Sequence, residues 1–375
     1  MKFTNCKIYT PEFKFEEGSL CVEDGKFALC DSFKGASDLK GAYIIPGLVD
    51  IHTHGNSGVD FTDCKEGGLL KMAKYYAKNG VTSFCPTSLT LPKEVLAASY
   101  KEARIFKEEN HRGVSKIAGI NMEGPFFSKA KKGAQNESFL RKPDVEMFKE
   151  LWEISGENIK LADVAPELPN AENYIKEVSK LTKVSLAHTS CNYDQAVSAF
   201  SWGASHMTHL FNAMEGIHHR NPGPVIAAFE RENVTLEVIG DGLHLHPAII
   251  RFIFNSVSDD RICLISDSLS VAGMEPGEYS LGGQEIILDG NIARIKKDGT
   301  IAGSADNLFN IMKKAVSFGV PLEKAVKAST FNPARAIGEE NHIGSIKAGL
   351  DADFIIADEN LNIKEVYIKG EKVKI

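Results

Sequence analysis

The feature that most constrains the fold is a regular alternation of short β-rich runs with helical segments, which begins at Ile44. The eight runs predicted as strands are 48–54, 81–86, 117–122, 159–165, 183–188, 205–209, 234–240 and 261–266. Helical segments lie between them, and two of these, 66–79 and 193–202, are followed by a glycine that can cap a helix. The alternation favours an α/β fold of the (β/α)8 TIM-barrel type. A doubly wound open sheet is the alternative, but no G-x-G-x-x-G follows any of these strands.

The two ends of the chain follow a different pattern. Residues 1–47 and 343–375 contain short alternating strands with Gly and Asp turns and almost no helical periodicity. We predict that they form the two halves of one small β-sandwich domain, which a barrel domain at 48–342 interrupts. Residues 277–300 predict β-hairpins inserted after the eighth strand, with Asp-Gly turn signals at 289 and 298.

Composition bears on several classes of function. The chain of 375 residues has 43 basic and 50 acidic residues and no basic block, so nucleic-acid binding has no electrostatic support. The first residues lack the apolar run of a secretory signal, and no stretch approaches the roughly 18 apolar residues of a membrane span. We therefore expect a cytoplasmic protein with no membrane partner. The seven cysteines are odd in number and scattered, which predicts neither a disulfide framework nor a zinc ribbon.

Polar side chains stand at the predicted strand ends, where catalytic groups of such barrels lie. His52 and His54 share one face of the first strand, because strand side chains alternate. The other strand-end candidates are Glu123, His188, His209 and Asp267. Each has a structural alternative, such as a turn carboxylate or a helix cap, and a His-x-His pair alone is a moderate metal signal. Their joint occurrence on five strands predicts that they converge at one mouth.

Histidine and carboxylate ligands at such a mouth predict metal-assisted hydrolysis. A divalent ion lowers the pKa of bound water towards about 7 and polarises a carbonyl oxygen. Asp267 could accept the proton of the attacking water and then donate it to a leaving amine. His206 has the opposite strand parity to His209, so we predict that it faces the helices.

Seven motifs, in this order and spacing, resemble the amidohydrolase superfamily and, within it, the deacetylases of N-acetylglucosamine 6-phosphate. The motifs are PGLVDIHTHG, NMEGPF, LAHTS, THLFNAM, DGLHLH, LISDSL and IAGSADNL. The resemblance covers essentially the whole chain. It implies hydrolysis of this phosphosugar to glucosamine 6-phosphate and acetate, in amino-sugar catabolism or cell-wall recycling.

The resemblance also implies roles for individual residues by position. Glu123, His188 and His209 match the metal ligands, and Asp267 matches the catalytic acid/base. His244 matches a residue that contacts the sugar and helps to polarise the acetyl carbonyl. The substrate-binding positions implied are Ala134, Gln135, Asn212, Ala213, Arg220, Ile301, Ala302 and Gly303.

Arg220 has a particular place in this resemblance. In the family the matching arginine reaches across from a neighbouring subunit, which implies a homodimer or a homotetramer. A guanidinium group suits a phosphate because its planar fork donates bidentate, charge-assisted hydrogen bonds. Without the neighbouring motif, Arg220 would be interpreted as a surface arginine in a solvated loop.

Departures from the family pattern bear on the metal site. Many superfamily members bridge two ions with a carboxylated lysine at the end of strand four, but here Lys160 stands at the beginning of that strand. Some deacetylases of this family replace the first histidine pair with Gln and Asn and hold one ion, whereas this chain retains His52 and His54. We therefore hypothesise two divalent ions bridged by Glu123. The ion itself, Zn, Fe(II), Mn or Co, is not distinguished by these ligands.

Gln135 is a further departure from the family pattern. It stands where some deacetylases have a histidine that contacts the sugar, which bears on affinity more than on reaction class.

Two other functions stay open at this stage. Another amidohydrolase, acting on a cyclic amide or a purine, would generally need the strand-four lysine or a different strand-eight environment. A non-catalytic scaffold with the same fold would be expected to have lost ligand positions, and none is lost here.

Overall fold

Two parallel sheets form the centre of the computed structural model, which describes residues 1–374. One sheet contains Leu48–Thr53, Val81–Pro86 and Lys116–Ile117. The other contains, in order, Ile120–Met122, Ile159–Val164, Lys183–Leu186, His206–Met207, Thr235–Ile239 and Ile262–Ile265. Neighbouring strands in both sheets follow one another along the chain, as strands connected by helical crossovers do.

Isolated bridges join the two sheets at both edges. Thr87 pairs in parallel with Asn121, and Thr53 pairs in parallel with Ser268, just beyond the last strand. The parallel strands therefore follow one another around a curled sheet, in which the last strand lies beside the first. All eight predicted strands are confirmed, with ends that differ by a few residues.

The third predicted strand is divided into two pieces. The N–H of Ala118 donates to the carbonyl of Phe84, whereas the N–H of Ile120 donates to the carbonyl of Asn158. The chain thus changes its hydrogen-bonding partner from one neighbouring strand to the next at Gly119, where a Cβ atom would lie only 2.1 Å from the Lys160 side chain.

Helices cover the strands, and their apolar residues recur at helical spacing. In Gly68–Lys78, the buried side chains include Leu69, Met72 and Tyr76, which belong to the main core cluster. The predicted glycine after this helix, Gly80, has a φ of +78°. The helices are Gly68–Lys78, Lys93–Glu109, Val145–Ile154, Ala171–Val178, Tyr193–Trp202, Gly223–Phe229, Pro247–Ser256, Leu308–Ser317, Leu322–Ser329 and Phe331–Ala336.

The two ends of the chain share one sheet of seven strands. Its order is Glu371–Lys372, Ile363–Ile368, Phe354–Ala357, Ser37–Pro46, Lys2–Tyr9, Phe15–Glu23 and Lys26–Ala28. Phe354–Ala357 pairs with Ser37–Pro46, so the C-terminal strands join the N-terminal ones directly. Residues of both ends therefore belong to one unit of structure, whereas its division into two sandwich layers stays a prediction.

An antiparallel sheet of four strands follows the last parallel strand. It contains Gly277–Leu281, Gln284–Asp289, Ile292–Ile295 and Ile301–Ser304. Gly290 and Gly299, each after an aspartate, have positive φ values in the turns, so the predicted turn positions are confirmed. A parallel bridge between Ser268 and Ser304 holds this insertion beside the ends of the parallel strands. The insertion extends one strand, Ile301–Ser304, beyond the predicted range.

One disulfide was not anticipated from the sequence. Cys21 is joined to Cys30. The other cysteines, Cys6, Cys64, Cys85, Cys191 and Cys263, are free, so there is one bridge and not a framework. Within residues 1–374, no helix has the length and apolar character needed to span a membrane.

Candidate active site

Six buried side chains meet where the parallel strands end. They form two groups, His52 with His54 and Asp267, and Glu123 with His188 and His209. Within each group the candidate ligand atoms lie within 4.8 Å of one another, and none of the six residues is more than 8% exposed. The structure thus brings together all the metal ligands and the acid/base that the sequence predicts, while their roles stay predictions.

Glu123 lies between the two groups. Its Oε1 atom is 3.1 Å from the Nε2 atoms of both His188 and His209. Its Oε2 atom is 3.4 Å from Nε2 of His54, which in turn is 3.3 Å from Oδ1 of Asp267. The carboxylate therefore faces His188 and His209 with Oε1 and His54 with Oε2, as a bridging ligand would, while Nε2 of His52 lies 3.6 Å from Oε1.

The spacing of these atoms fits a divalent metal ion. The Nε2 atoms of His188 and His209 are 3.2 Å apart, and each lies 3.1 Å from Oε1 of Glu123. Ligands at about 2.1 Å from an ion and at tetrahedral angles would lie about 3.4 Å apart. In the other group, the buried Nε2 atom of His52 has no hydrogen-bond partner. Such an atom is usually paired in a folded protein, and a cation would satisfy it.

The outer nitrogens of three of the four histidines face oxygens that can only accept a hydrogen bond. The Nδ1 distances are 2.8 Å from His188 to the Lys131 carbonyl, 3.1 Å from His54 to the Thr87 carbonyl and 2.9 Å from His52 to Glu237. An acceptor at Nδ1 places the hydrogen there, so Nε2 presents a lone pair towards the cluster. This is the tautomer that metal coordination through Nε2 requires.

The backbone is unusual at the strand ends that carry the cluster. His188, His209 and Asp267 have φ values of +44°, +27° and +47°, which lie in the left-handed region. Such conformations cost about 1 to 3 kcal/mol each in non-glycine residues and concentrate at functional sites. Each residue follows a parallel strand closely, and its side chain reaches the cluster, His188 and His209 at Glu123 and Asp267 at His52 and His54.

The carboxylates of the cluster lie among imidazoles, which shift their pKa values. Burial raises the pKa of Glu123, but its contacts with His188 and His209 outweigh burial and hold this pKa well below its usual range. Burial also raises the pKa of Asp267, and the contacts with His54 and His52 outweigh it, so the net shift is downward. Both carboxylates are therefore ionised, which is the state that a metal ligand and a proton acceptor need.

The cluster opens into one cavity of about 360 Å³. This volume lies within the range of small-molecule sites, about 300 to 1,000 Å³. The predicted substrate-binding residues that line it are Ala134, Gln135, Asn212, Ala213, His244, Ile301, Ala302 and Gly303. Leu281 and Thr300 of the inserted hairpins form part of its wall, so this insertion also shapes the site.

His244 is held in place by a neighbouring carboxylate. Its Nδ1 atom lies 2.7 Å from Oδ2 of Asp241, whose Oδ1 atom accepts the backbone N–H of His244. Burial lowers the pKa of His244, but Asp241 outweighs burial and raises it. An imidazole fixed in this way at the cavity wall can donate a hydrogen bond from Nε2 when it is protonated, the form that the contact with Asp241 favours.

Two predicted residues do not line the cavity. His52 is fully buried, and its ring lies between Asp267 on one side and Glu237 on the other. Arg220 is exposed in the loop that follows Asn212, and its guanidinium lies 2.6 Å from the ring of His219. The predicted contribution of Arg220 across a subunit interface stays a prediction.

Gln135 contacts Glu123 directly. Its amide nitrogen donates to Oε2 of Glu123 at 2.6 Å, and its carbonyl accepts the backbone N–H of Thr90 at 2.7 Å. The side chain thus lies at the cavity wall with both of its polar atoms engaged. The predicted contact with the sugar is untested, while the contact with a predicted metal ligand was not anticipated.

The prediction for His206 was wrong, and Glu237 was missed. The ring of His206 does not face the helices, because its Nε2 atom lies 3.1 Å from Oε1 of Glu237 beside the cluster. The strand His206–Met207 ends before His209, so strand alternation cannot be counted between the two histidines. Glu237 is the only charged residue of the apolar run VTLEVIG, and this signal could have identified it.

Comparisons with known proteins agree with this geometry. Residues 43–373 match the amidohydrolase family. The chain is 33% identical to the N-acetylglucosamine-6-phosphate deacetylase of Danio rerio, over 99% of this chain and 96% of the relative. It is 30% identical to the N-acetylgalactosamine-6-phosphate deacetylase of Escherichia coli O157:H7, over 97% of each chain.

Solved structures show the same likeness. The N-acetyl-D-glucosamine-6-phosphate deacetylase of Mycobacterium smegmatis, in complex with N-acetyl-D-glucosamine-6-phosphate, superposes with a TM-score of 0.94 at 29% identity, over 100% of this chain and 99% of that one. The Thermotoga maritima N-acetylglucosamine-6-phosphate deacetylase gives 0.89 at 27% identity, with the same coverage. From the family match and the full-length relatives together, the chain belongs to the amidohydrolase family.

Proposed function

We propose that this protein is a hydrolase that converts N-acetyl-D-glucosamine 6-phosphate to D-glucosamine 6-phosphate and acetate, in amino-sugar catabolism or cell-wall recycling. The observation that carries the proposal is the meeting of Glu123, His188 and His209 with Asp267 at the wall of one cavity. The full-length relatives named for this activity support the choice of substrate.

The donor set suggests how a metal would be held. Glu123, His188 and His209 would hold one divalent ion, and His52 and His54 a second, with Glu123 facing both. When bound, such an ion activates water and polarises the acetyl carbonyl. Nitrogen and carboxylate donors suit Zn, Fe(II), Mn or Co, so we propose one or two of these ions in each subunit.

Asp267 is the proposed acid and base. Its depressed pKa keeps the carboxylate ionised, so it can accept a proton from the attacking water. It then donates that proton to the amine nitrogen, which leaves poorly unless it is protonated. His244, held by Asp241 at the cavity wall, is placed to donate to the acetyl oxygen or to a sugar hydroxyl.

The other end of the cavity would hold the sugar phosphate. Asn212, Ala213, Ala302 and Gly303 are among the residues that line the cavity. We propose that Arg220 of a second subunit completes this end with a bidentate contact to the phosphate. The protein would then be a homodimer or a homotetramer, with a phosphosugar as its small-molecule partner.

The finer description of the fold belongs to the same proposal. We propose a complete (β/α)8 barrel at 48–342 and a β-sandwich domain built from 1–47 and 343–375. The bridges that join the two parallel sheets support the first, and the sheet shared by both ends supports the second. A cytoplasmic location stays a prediction.

A second candidate substrate is the C4 epimer, N-acetylgalactosamine 6-phosphate. It is favoured by the relative of 30% identity that is named for this activity. Both sugars carry the same N-acetyl and 6-phosphate groups, so the metal cluster would act on them alike. Discrimination would depend on contacts to the C4 hydroxyl.

Acetate release by the purified, metal-reconstituted protein tests the proposal. The substrates are N-acetylglucosamine 6-phosphate, its galactosamine epimer, unphosphorylated N-acetylglucosamine, and a cyclic ureide and adenine as representatives of other amidohydrolase substrates. We expect the phosphosugar to be preferred over the plain sugar by roughly 10²-fold in kcat/KM, because a charged contact is worth a few kcal/mol. Inert phosphosugars together with turnover of the ureide or of adenine would refute the proposal.

A further inference from the structure

We propose that Glu237 is a positioning residue that holds both groups of predicted metal ligands in register. It lies in the parallel strand Thr235–Ile239 and is fully buried. The inference rests on the proposed metal site and adds to it a residue that neither coordinates the ion nor touches the substrate.

The contacts of Glu237 connect the two groups. Its Oε2 atom lies 2.9 Å from Nδ1 of His52, in the first group. The same oxygen accepts the backbone N–H of His209, in the second group, at 3.1 Å. One carboxylate therefore fixes the ring of one predicted ligand and the backbone of another.

The first contact determines which nitrogen of His52 is free. A carboxylate only accepts hydrogen bonds, so Nδ1 of His52 carries the hydrogen and Nε2 keeps its lone pair. That Nε2 atom is buried without a hydrogen-bond partner and lies 3.6 Å from both Glu123 and Asp267. A metal-binding histidine usually donates the hydrogen of its other ring nitrogen to an acceptor, which orients the ring and raises its basicity.

His206 supports Glu237 from the opposite side. Its Nε2 atom lies 3.1 Å from Oε1 of Glu237, and its Nδ1 atom hydrogen bonds to the hydroxyl of Thr235. With the hydrogen on Nε2, His206 donates to Glu237 and accepts from Thr235. A buried carboxylate needs such donors, because an unpaired buried charge is costly. A continuous chain of side-chain hydrogen bonds thus connects Thr235, through His206 and Glu237, to His52 in the cluster.

The second contact bears on the strained backbone of His209. This residue has a φ of +27°, and its Nδ1 atom, unlike those of the other three predicted ligands, has no hydrogen-bond partner. The bond from its backbone N–H to the Glu237 side chain is therefore one of the contacts that hold His209, beside the bond from Leu210 N–H to the Glu237 carbonyl. Loss of the Glu237 side chain would leave the His52 ring and the His209 N–H without this acceptor.

Metal binding by the full chain tests this role without reference to turnover. Chelator-treated wild type, Glu237→Ala and Glu237→Gln are titrated with Co²⁺ and followed by visible absorption and by metal content. We expect Glu237→Ala to weaken the binding of the second ion by about 10- to 100-fold. Glu237→Gln should recover part of this loss, because its amide oxygen can still accept from His52 and His209.

Asp353→Asn is the matched control. Asp353 is a buried acid outside the cluster, 3% exposed, and its carboxylate contacts Lys116 and accepts the backbone N–H of Lys369, neither of which is a predicted ligand. Its Co²⁺ affinity should equal that of the wild type. Thermal unfolding of the chelated variants separates folding from binding, since a merely structural role would lower the unfolding temperature and leave Co²⁺ affinity unchanged.

The outcomes distinguish this inference from the proposed function. Wild-type protein that binds no Co²⁺ would refute both. Wild-type protein that binds Co²⁺, with Glu237→Ala and Glu237→Gln binding the same number of ions at the same affinity, would refute the role of Glu237 alone. If Glu237→Ala does not fold, Glu237→Gln carries the same comparison.

Discussion

The buried cluster around Glu123 and the exposed loop that carries Arg220 differ in what a single chain supplies. In the cluster, each predicted ligand is buried and has a partner within the same chain. In the loop, residues 215–221 are exposed, and the side-chain contact of Arg220 is with the neighbouring His219. The metal end of the proposed site is thus complete in one chain, whereas its phosphate end is open.

The proposed site is rigid at the cluster and less constrained in the loop. The cluster is fixed by strand ends, left-handed backbone and paired charges, all of which are costly to rearrange. The loop has no such constraint and can be organised by a second subunit. Changes in the cluster should therefore affect the chemical step, and changes in the loop should affect recognition of the phosphate.

The largest effect is expected from Asp267→Asn. An amide cannot accept the proton of the attacking water, so kcat should fall by about 10²- to 10⁴-fold, while the protein remains folded and retains metal. Acetate release and metal content measured on the same preparation check this. Asp298→Asn, in an exposed turn of the insertion, is the control and should behave as wild type. An Asp267→Asn variant with an unchanged rate would remove Asp267 from its proposed role.

A smaller effect is expected from Arg220→Met. Loss of a charged hydrogen bond of about 1.5 to 3 kcal/mol should lower kcat/KM for the phosphosugar by roughly 10- to 100-fold. Activity on the unphosphorylated sugar should not change, since it lacks the group that Arg220 would contact. Arg112→Met removes another exposed arginine and serves as the control. Equal losses on both sugars would assign Arg220 a role other than phosphate binding.

Mixed subunits test whether Arg220 acts on its own chain or on the neighbouring one. If it acts on the neighbouring chain, an oligomer assembled from Arg220→Met and Asp267→Asn chains contains sites with both defects and sites with neither. Mixing the two impaired proteins under exchange conditions should then raise activity on the phosphosugar above the sum of the two separate activities. No recovery in an oligomer with proven exchange would place Arg220 in its own chain's site.

The smallest effect is expected from Gln135→Met. The substitution removes the hydrogen bond to Oε2 of Glu123 and the one from the Thr90 backbone N–H, but keeps a side chain of similar length. Because neither bond is made to the substrate in this structure, we expect a loss in kcat/KM of about 10-fold, measured on the phosphosugar. Gln135→His, with the residue found in some family members, should retain most activity. A loss as large as that of Asp267→Asn would show that Gln135 takes part in the chemistry.

Much of the fold was predictable because its signals are local. The strands Val81–Pro86 and Ile159–Val164 are short runs rich in apolar and β-branched residues, and the helix Tyr193–Trp202 begins at an asparagine cap and ends at Gly203. Such signals depend on a few consecutive residues. The division of the third strand at Gly119 was not predictable, because it depends on which neighbouring strand accepts each hydrogen bond.

The residues of the candidate site likewise include some that local sequence signals predict and some that they do not. His52, His188 and Asp267 could be found because each closes or follows a β-rich run. The contact between His52 and Glu237 joins residues 185 positions apart, and no local pattern reports it. His206 was misplaced because its strand is only two residues long, too short for alternation to predict its direction.

The order of strands and helices, the chemical nature of the groups at the strand ends and the family to which they point could all be inferred from the amino-acid sequence. These depend on backbone periodicity and residue type, which act over a few positions. The folded structure was needed to show that Glu123 faces both histidine groups, that Gln135 contacts Glu123, and which nitrogen of His52 is free. Those outcomes depend on distances between distant parts of the chain, which are set when the curled sheet brings its strand ends together.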